Sequence, residues 1–102
     1  MKPIGERVDI AMKEIEAIVK GVQLNNNFLN DVAKIYERRG HATAKLYVQG
    51  KFTERMRQDE RKAFDALLKV LDVLHKENLT GPIASFCIKK LNAVNLSKQG
   101  GV

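Results

Sequence analysis

TERMRQDERKAFDALLKVLDVLHKEN, residues 53–78, divides into two halves of different character. The first, TERMRQDERK, holds four basic residues, three acidic ones and a single large apolar side chain, Met56. In the second, Ala63, Phe64, Leu67, Leu68, Val70, Leu71 and Leu74 recur at helical spacing, the pattern of a face turned to a core. One helix running from a Thr53 N-cap to Asn78 would be half solvated and half buried. Arg55–Asp59, Arg57–Glu60 and Asp65–Lys69 stand at the spacing that supports such a helix weakly.

Upstream, Ile4, Val8, Ala11, Ile15, Ile18 and Val22 follow at steps of 4, 3, 4, 3 and 4, an apolar seam on a first helix. Pro3 suits its first turn, and Gly21 can close it in the left-handed region. The asparagine run 25–27 reads as a loop, with Asn27 as the expected cap of a second helix. Phe28, Leu29, Val32, Ile35 and Tyr36 line that helix, and Arg38, Arg39 and Gly40 end it. HATAKLYVQG, residues 41–50, alternates like a strand but has no partner strand, so a short helix is expected. Downstream, Thr80 and Pro82 open a last helix whose stripe is Ile83, Phe86, Cys87, Leu91 and Val94.

The expected architecture is therefore all-α: a single-domain four-helix bundle over residues 1–96, with a short extra helix between the second and third main helices. Residues 97–102, SKQGGV, read as a flexible tail. The expected core is Ile4, Val8, Ile15, Ile18, Val32, Ile35, Leu67, Leu71, Leu74, Phe86 and Leu91. A chain of 102 residues buries roughly 60–70% of its unfolded surface and needs no metal or disulfide to fold.

The residue inventory narrows the chemistry. There is no glycine-rich phosphate loop, no CxxC, HExxH or GxSxG, and the two histidines, His41 and His75, lie far apart in sequence. Asp72 and His75 share a helix face but lack a third ligand. Cys87, on an apolar face, reads as a core cysteine. The expectation is a non-enzymatic protein without metal or cofactor. A single cysteine fits a reducing compartment. MKPIGERVDIAM is interrupted by Glu6, Arg7 and Asp9, and the longest uncharged run, Asn78–Ile88, is 11 residues, against about 20 for a membrane span. A cytoplasmic protein with no membrane partner is expected.

Charge supplies the positive signal. Eighteen Lys and Arg against twelve Asp and Glu leave +6, and Arg38–Arg57 carries six basic residues against one acid, Glu54, or +5 of that total. Tyr47 and Phe52 are interleaved with these cations, a combination that can meet phosphates and stack on bases. Arg55 and Arg57 in the first turn of a helix would cost up to ~1 kcal/mol against its dipole, which suggests cations kept for a partner. The competing reading is a solvated basic face with Tyr47 and Phe52 folded into the core. A helix-turn-helix over Asp31–Phe52 fits poorly, because Gly40 comes too late for the tight turn of that unit.

The candidate binding residues are Arg38, Arg39, Lys45, Tyr47, Lys51, Phe52, Arg55, Arg57 and Arg61. The first functional expectation is a small regulatory or adaptor protein, of inhibitor or modulator type, that docks on an acidic protein surface. The alternative is DNA or RNA binding, through the phosphate backbone, by residues 38–62. A third expectation is a homodimer formed along the seam of Ile4, Val8, Ile15 and Val22.

Overall fold

Five helices account for most of the chain: α1 (Ile4–Ile18), α2 (Asn26–Arg39), α3 (His41–Gln49), α4 (Gln58–Lys76) and α5 (Gly81–Lys89), followed by a helical turn at 91–94. The computed structural model describes residues 2–94, so the expected tail at 97–102 and the boundary at 96 lie outside the described residues. No strand occurs among the described residues, and the all-α bundle expected from periodicity is what the chain forms. The extra helix α3 lies between the second and third of the expected main helices, and α5, at nine residues, is no longer than it is.

α1 closes where Gly21 takes φ 74°, a conformation that strains any residue with a Cβ. α2 is capped two residues earlier than expected: Asn25, not Asn27, accepts the Phe28 N–H at 3.1 Å. Residues 41–49 are helical because Ala44 and Val48, four apart, are both buried, whereas strand alternation would also have buried Leu46. Leu46 is instead 68% exposed.

The largest departure from expectation is the start of α4. Thr53 caps nothing; residues 53–57 form a turn, and Arg57, in an extended conformation, precedes the first helical residue, Gln58. The later start moves Arg55 out of the helix and puts Asp59 and Glu60 in its first turn, where the dipole favours carboxylates. The electrostatic conflict implied by a Thr53 start therefore does not exist. The other end of α4 agrees with expectation. Asn78 adopts φ 58°, the Leu79 N–H bonds the Leu74 carbonyl at 2.9 Å and the Asn78 N–H bonds that of His75 at 3.0 Å. That pair of bonds is a Schellman closure, sealed by the fully buried Leu79 and Leu74.

Arg7 donates to the carbonyls of Glu77 and Asn78, so the start of α1 meets the end of α4, and Lys76 pairs with Glu14 at 2.8 Å. α1 and α4 are thus antiparallel neighbours. α2 and α5 share the most extensive contact of any helix pair. They are antiparallel, with Tyr36 bonding the Leu79 carbonyl near one end and Asn26 bonding Asn92 near the other. Around this arrangement Ile15, Val32, Leu67, Leu71, Leu74 and Leu91 are buried, as expected. Each such side chain stabilises by about 1.5–3 kcal/mol.

Val8, Ile18 and Ile35 are only half-buried, while Ile4 and Phe86 are exposed and leave the core. For Phe86 the reason lies in α5, which buries Ala84, Ser85 and Ile88 beside the expected Cys87 and leaves Ile83 and Phe86 open. Its small residues let the backbones of α2 and α5 approach closely, because interhelix distance is set by the side chains at the contact. That rotation turns Ile83 and Phe86 outward. The seam of α1 is divided in the same way: Ala11 and Ile15 are fully buried, and Ile4 stands 44% exposed.

Candidate functional site

Four of the six aromatic residues form one row of stacked rings. Tyr47 of α3 lies 5.8 Å from Phe28 of α2, Phe28 lies 4.9 Å from Phe64 of α4, and Phe64 lies 5.8 Å from Phe52 of the α3–α4 turn, all within 23° of parallel. Helix geometry brings them together: Phe28 is in the first turn of α2, Tyr47 in the last turn of antiparallel α3, and Phe64 in the second turn of α4. All four are half-buried. Each keeps part of its surface open, which for Tyr47 and Phe52 lies between the two alternatives the sequence offered.

Beside the row an open cleft of about 490 Å³ is lined by Leu24, Phe28, Tyr47, Ala63 and Phe64, with Gln23, Asn25, Asp31, Lys51 and Glu60 at its edge. Lys51 holds its ammonium 4.9 Å from the Tyr47 ring centroid, within cation–π range. The rim thus carries one cation and two carboxylates around an aromatic floor. This is the mixed composition of a site that takes an apolar group and orients it by polar contacts.

The nine candidate residues are distributed unevenly about this feature. Tyr47, Lys51 and Phe52 are part of it or touch it. Arg57 is paired with Glu60 at 3.2 Å and Asp59 at 3.5 Å, and Arg61 donates to the Thr53 carbonyl at 3.0 Å, holding the α3–α4 turn in place. Arg55 is exposed in that turn. Lys45 is turned away, with its ammonium 3.1 Å from Asp72. Arg38 and Arg39 end α2, beside the start of α3, whereas Lys51, Arg55 and Arg57 follow its end; nine residues of helix separate the groups by about 13 Å. The structure brings the aromatic residues and Lys51 together and leaves Arg38 and Arg39 at the far end of α3.

A second cluster was not visible in the sequence. His41 and His75 stack at 4.1 Å with rings 9° apart, and the His41 Nε2 lies 2.7 Å from an Asp72 carboxylate oxygen. Tyr36 meets the edge of His41, and its hydroxyl donates to the Leu79 carbonyl at 3.2 Å. Burial pushes Asp72 upward, but the hydrogen bonds from His41 and Lys45 outweigh it and hold the carboxyl below its ordinary range. Burial, aided by the Asp72 charge, pushes the Tyr36 phenol up to about 12. The available signals were the pairs His41/Lys45 on α3 and Asp72/His75 on α4; joining them requires the antiparallel register of the two helices, a non-local fact. These groups lock α3 onto α4. Among the described residues no three His, Cys, Asp or Glu side chains are placed to hold a metal ion.

Cys87 is 2% exposed, and burial raises its thiol above the ordinary value, which keeps it protonated. No helix among the described residues is long and apolar enough to cross a membrane. No protein-family profile, curated protein or solved structure matches the chain.

Proposed function

We propose that this protein is a non-enzymatic regulatory or adaptor module that docks on a partner protein. The cleft beside Phe28, Tyr47 and Phe64 receives an apolar side chain of the partner, and Lys51 and Arg55 attract its acidic residues. The observation that carries this reading is the composition of the cleft: an aromatic floor with Lys51, Asp31 and Glu60 on one rim. A polypeptide can present an apolar anchor and charges of both signs there, and aromatic pockets of this kind concentrate binding energy in a few residues. A phosphate backbone, anionic along its whole length, would also face Asp31 and Glu60, whereas a polypeptide can set acidic residues at Lys51 and neutral or basic ones at the two carboxylates. The exposed arginines then contribute steering, raising association rates more than affinity.

Nucleic-acid binding is the second reading, supported by Arg38, Arg39 and Arg55, which are exposed and make no ion pair among the described residues. The two differ in salt dependence and in which residues matter. A displayed peptide library selected on the wild-type protein, followed by anisotropy titrations, separates them. Peptides combining bulky apolar residues with Asp or Glu are expected, with Kd of roughly 1–100 μM, weakened at least about tenfold by Tyr47→Ala. Random-sequence duplex and single-stranded DNA should bind weakly. A log–log salt slope of about −0.9 per phosphate over several contacts, lost when Arg38, Arg39, Arg55 and Arg57 become Ala and unmoved by Tyr47→Ala, would establish the nucleic-acid reading instead.

A further inference from the structure

The face formed by α1 and α5, distinct from the aromatic cleft, carries a second groove. The two helices run parallel: Arg7 near the start of α1 bonds the carbonyls of Glu77 and Asn78 just before α5, and Leu24, beyond the end of α1, is held by Asn92, beyond the end of α5. Between them lies a groove of about 440 Å³ walled by Ile4 and Val8 on one side and Pro82, Ile83 and Phe86 on the other. Ile4, Ile83 and Phe86 are 44%, 40% and 57% exposed, and only one other large apolar residue among those described, Leu46, is comparably open. Three such residues converging on one groove form a contiguous apolar patch, which single exposed leucines do not.

The charges at its edges point to the occupant. Asp9, on the α1 wall, is exposed and makes no ion pair among the described residues. Lys90 follows the α5 wall and lays its ammonium back over Phe86, 4.4 Å from the ring centroid. One wall is therefore acidic and the other basic, with apolar side chains of similar size between them. Such a surface is complementary to its own image. A two-fold axis parallel to the groove lays α5 of one copy on α1 of the other, so that Phe86 packs on Ile4 and Val8 while Lys90 reaches Asp9, each contact occurring twice. A uniformly acidic or uniformly basic partner would face one wall of like charge.

We propose that this groove is a self-association surface through which two copies of the chain form a parallel, two-fold symmetric dimer. This differs from a dimer along the whole α1 seam, since Ala11 and Ile15 are fully buried within one chain and interrupt the seam, and its Ile4–Val8 end is the part that lines the groove. The patch is small against the roughly 800 Å² per partner of a standard interface, so the dimer is weak and concentration-dependent.

Sedimentation velocity of the full chain across about 5–500 μM tests it. The wild type should shift from monomer to dimer with a Kd on the order of 10–300 μM. Phe86→Ser, or Ile83→Ser as a second probe, should weaken association at least about tenfold with unchanged circular dichroism, since both residues are exposed in the monomer. Asp9→Lys and Lys90→Asp should each weaken it, and the double exchange D9K/K90D should restore it, which a merely structural role would not do. A wild type that is monomeric at about 500 μM overturns the proposal, whether detergent micelles then occupy the groove or nothing does. A dimer indifferent to Phe86→Ser and Ile83→Ser, or a charge exchange that fails to restore association, overturns it as well.

Discussion

Asn92 shows how much a single polar side chain can organise. Its carboxamide oxygen accepts the Leu24 N–H at 3.1 Å, and its nitrogen donates to the Leu24 carbonyl and to Asn26 at 2.7 Å. One side chain thus satisfies both backbone groups of a buried loop residue and fixes the α1–α2 connection. Asn92→Ala leaves those groups without partners, and a loss of about 1–3 kcal/mol in urea unfolding is expected. Tyr36 makes a prediction in pH. Its phenol, 3% exposed, ionises near 12 in the fold against about 10 in the unfolded chain. The folded value is raised, so the stabilisation is complete below pH 10 and declines as pH climbs from 10 to 12, by up to roughly 2–3 kcal/mol. Tyrosinate absorbance should show one of the two tyrosines ionising together with alkaline unfolding, and Tyr36→Phe should remove that part of the pH dependence. A Tyr36 that titrates reversibly near 10 in the native protein would contradict the buried geometry.

At the scale of elements, the helices were largely legible and their boundaries less so. Periodicity located α1, α2 and α4 because their buried stripes recur every three or four residues, and Asn78 was readable as the end of α4 because asparagine tolerates positive φ. Caps were harder to place. Asn25, Asn26 and Asn27 are chemically equivalent in sequence, and only the entry angle of α2, fixed by Leu24 and Asn92, selects Asn25. Thr53 has the composition of a cap, but Phe52 stacked on Phe64 and Arg61 bonded to the Thr53 carbonyl hold the turn and delay the helix to Gln58. Asn25→Ala should therefore cost about 1 kcal/mol, roughly 4–8 °C in Tm, whereas Thr53→Ala and Asn27→Ala should each stay within about 0.5 kcal/mol. A thermal melt of the three variants distinguishes these caps. α5 was misread for a different reason. Cys87 and Leu91 of the expected stripe are buried, but Ile83 and Phe86 give way to Ala84 and Ile88, which also have helical spacing, because the smaller residues permit close contact with α2. Apolarity alone favours the wrong stripe.

On the scale of the whole molecule, three surfaces share one bundle: an aromatic cleft at the Phe28–Tyr47–Phe64 end, an imidazole and carboxylate lock at the opposite end of α3, and an apolar groove between α1 and α5. The basic, aromatic stretch of residues 38–57 contains Tyr47, Lys51 and Phe52, which the fold places at the aromatic row. It could not reveal that Phe28 and Phe64 complete the row, since those residues come from helices before and after the stretch. Nor could it show that Lys45 is committed to Asp72, or that α3 holds Arg38 and Arg39 apart from Lys51. We propose the aromatic cleft as the place where a partner protein docks. The most direct measurement is a 1H–15N correlation spectrum of the full chain titrated with a library-selected acidic, apolar peptide. Shifts centred on Phe28, Tyr47, Lys51, Ala63 and Phe64 are expected, with Arg38, Arg39 and the α1–α5 groove unmoved. Shifts confined to Arg38, Arg39 and His41, with the amides around the aromatic row unchanged, would contradict it.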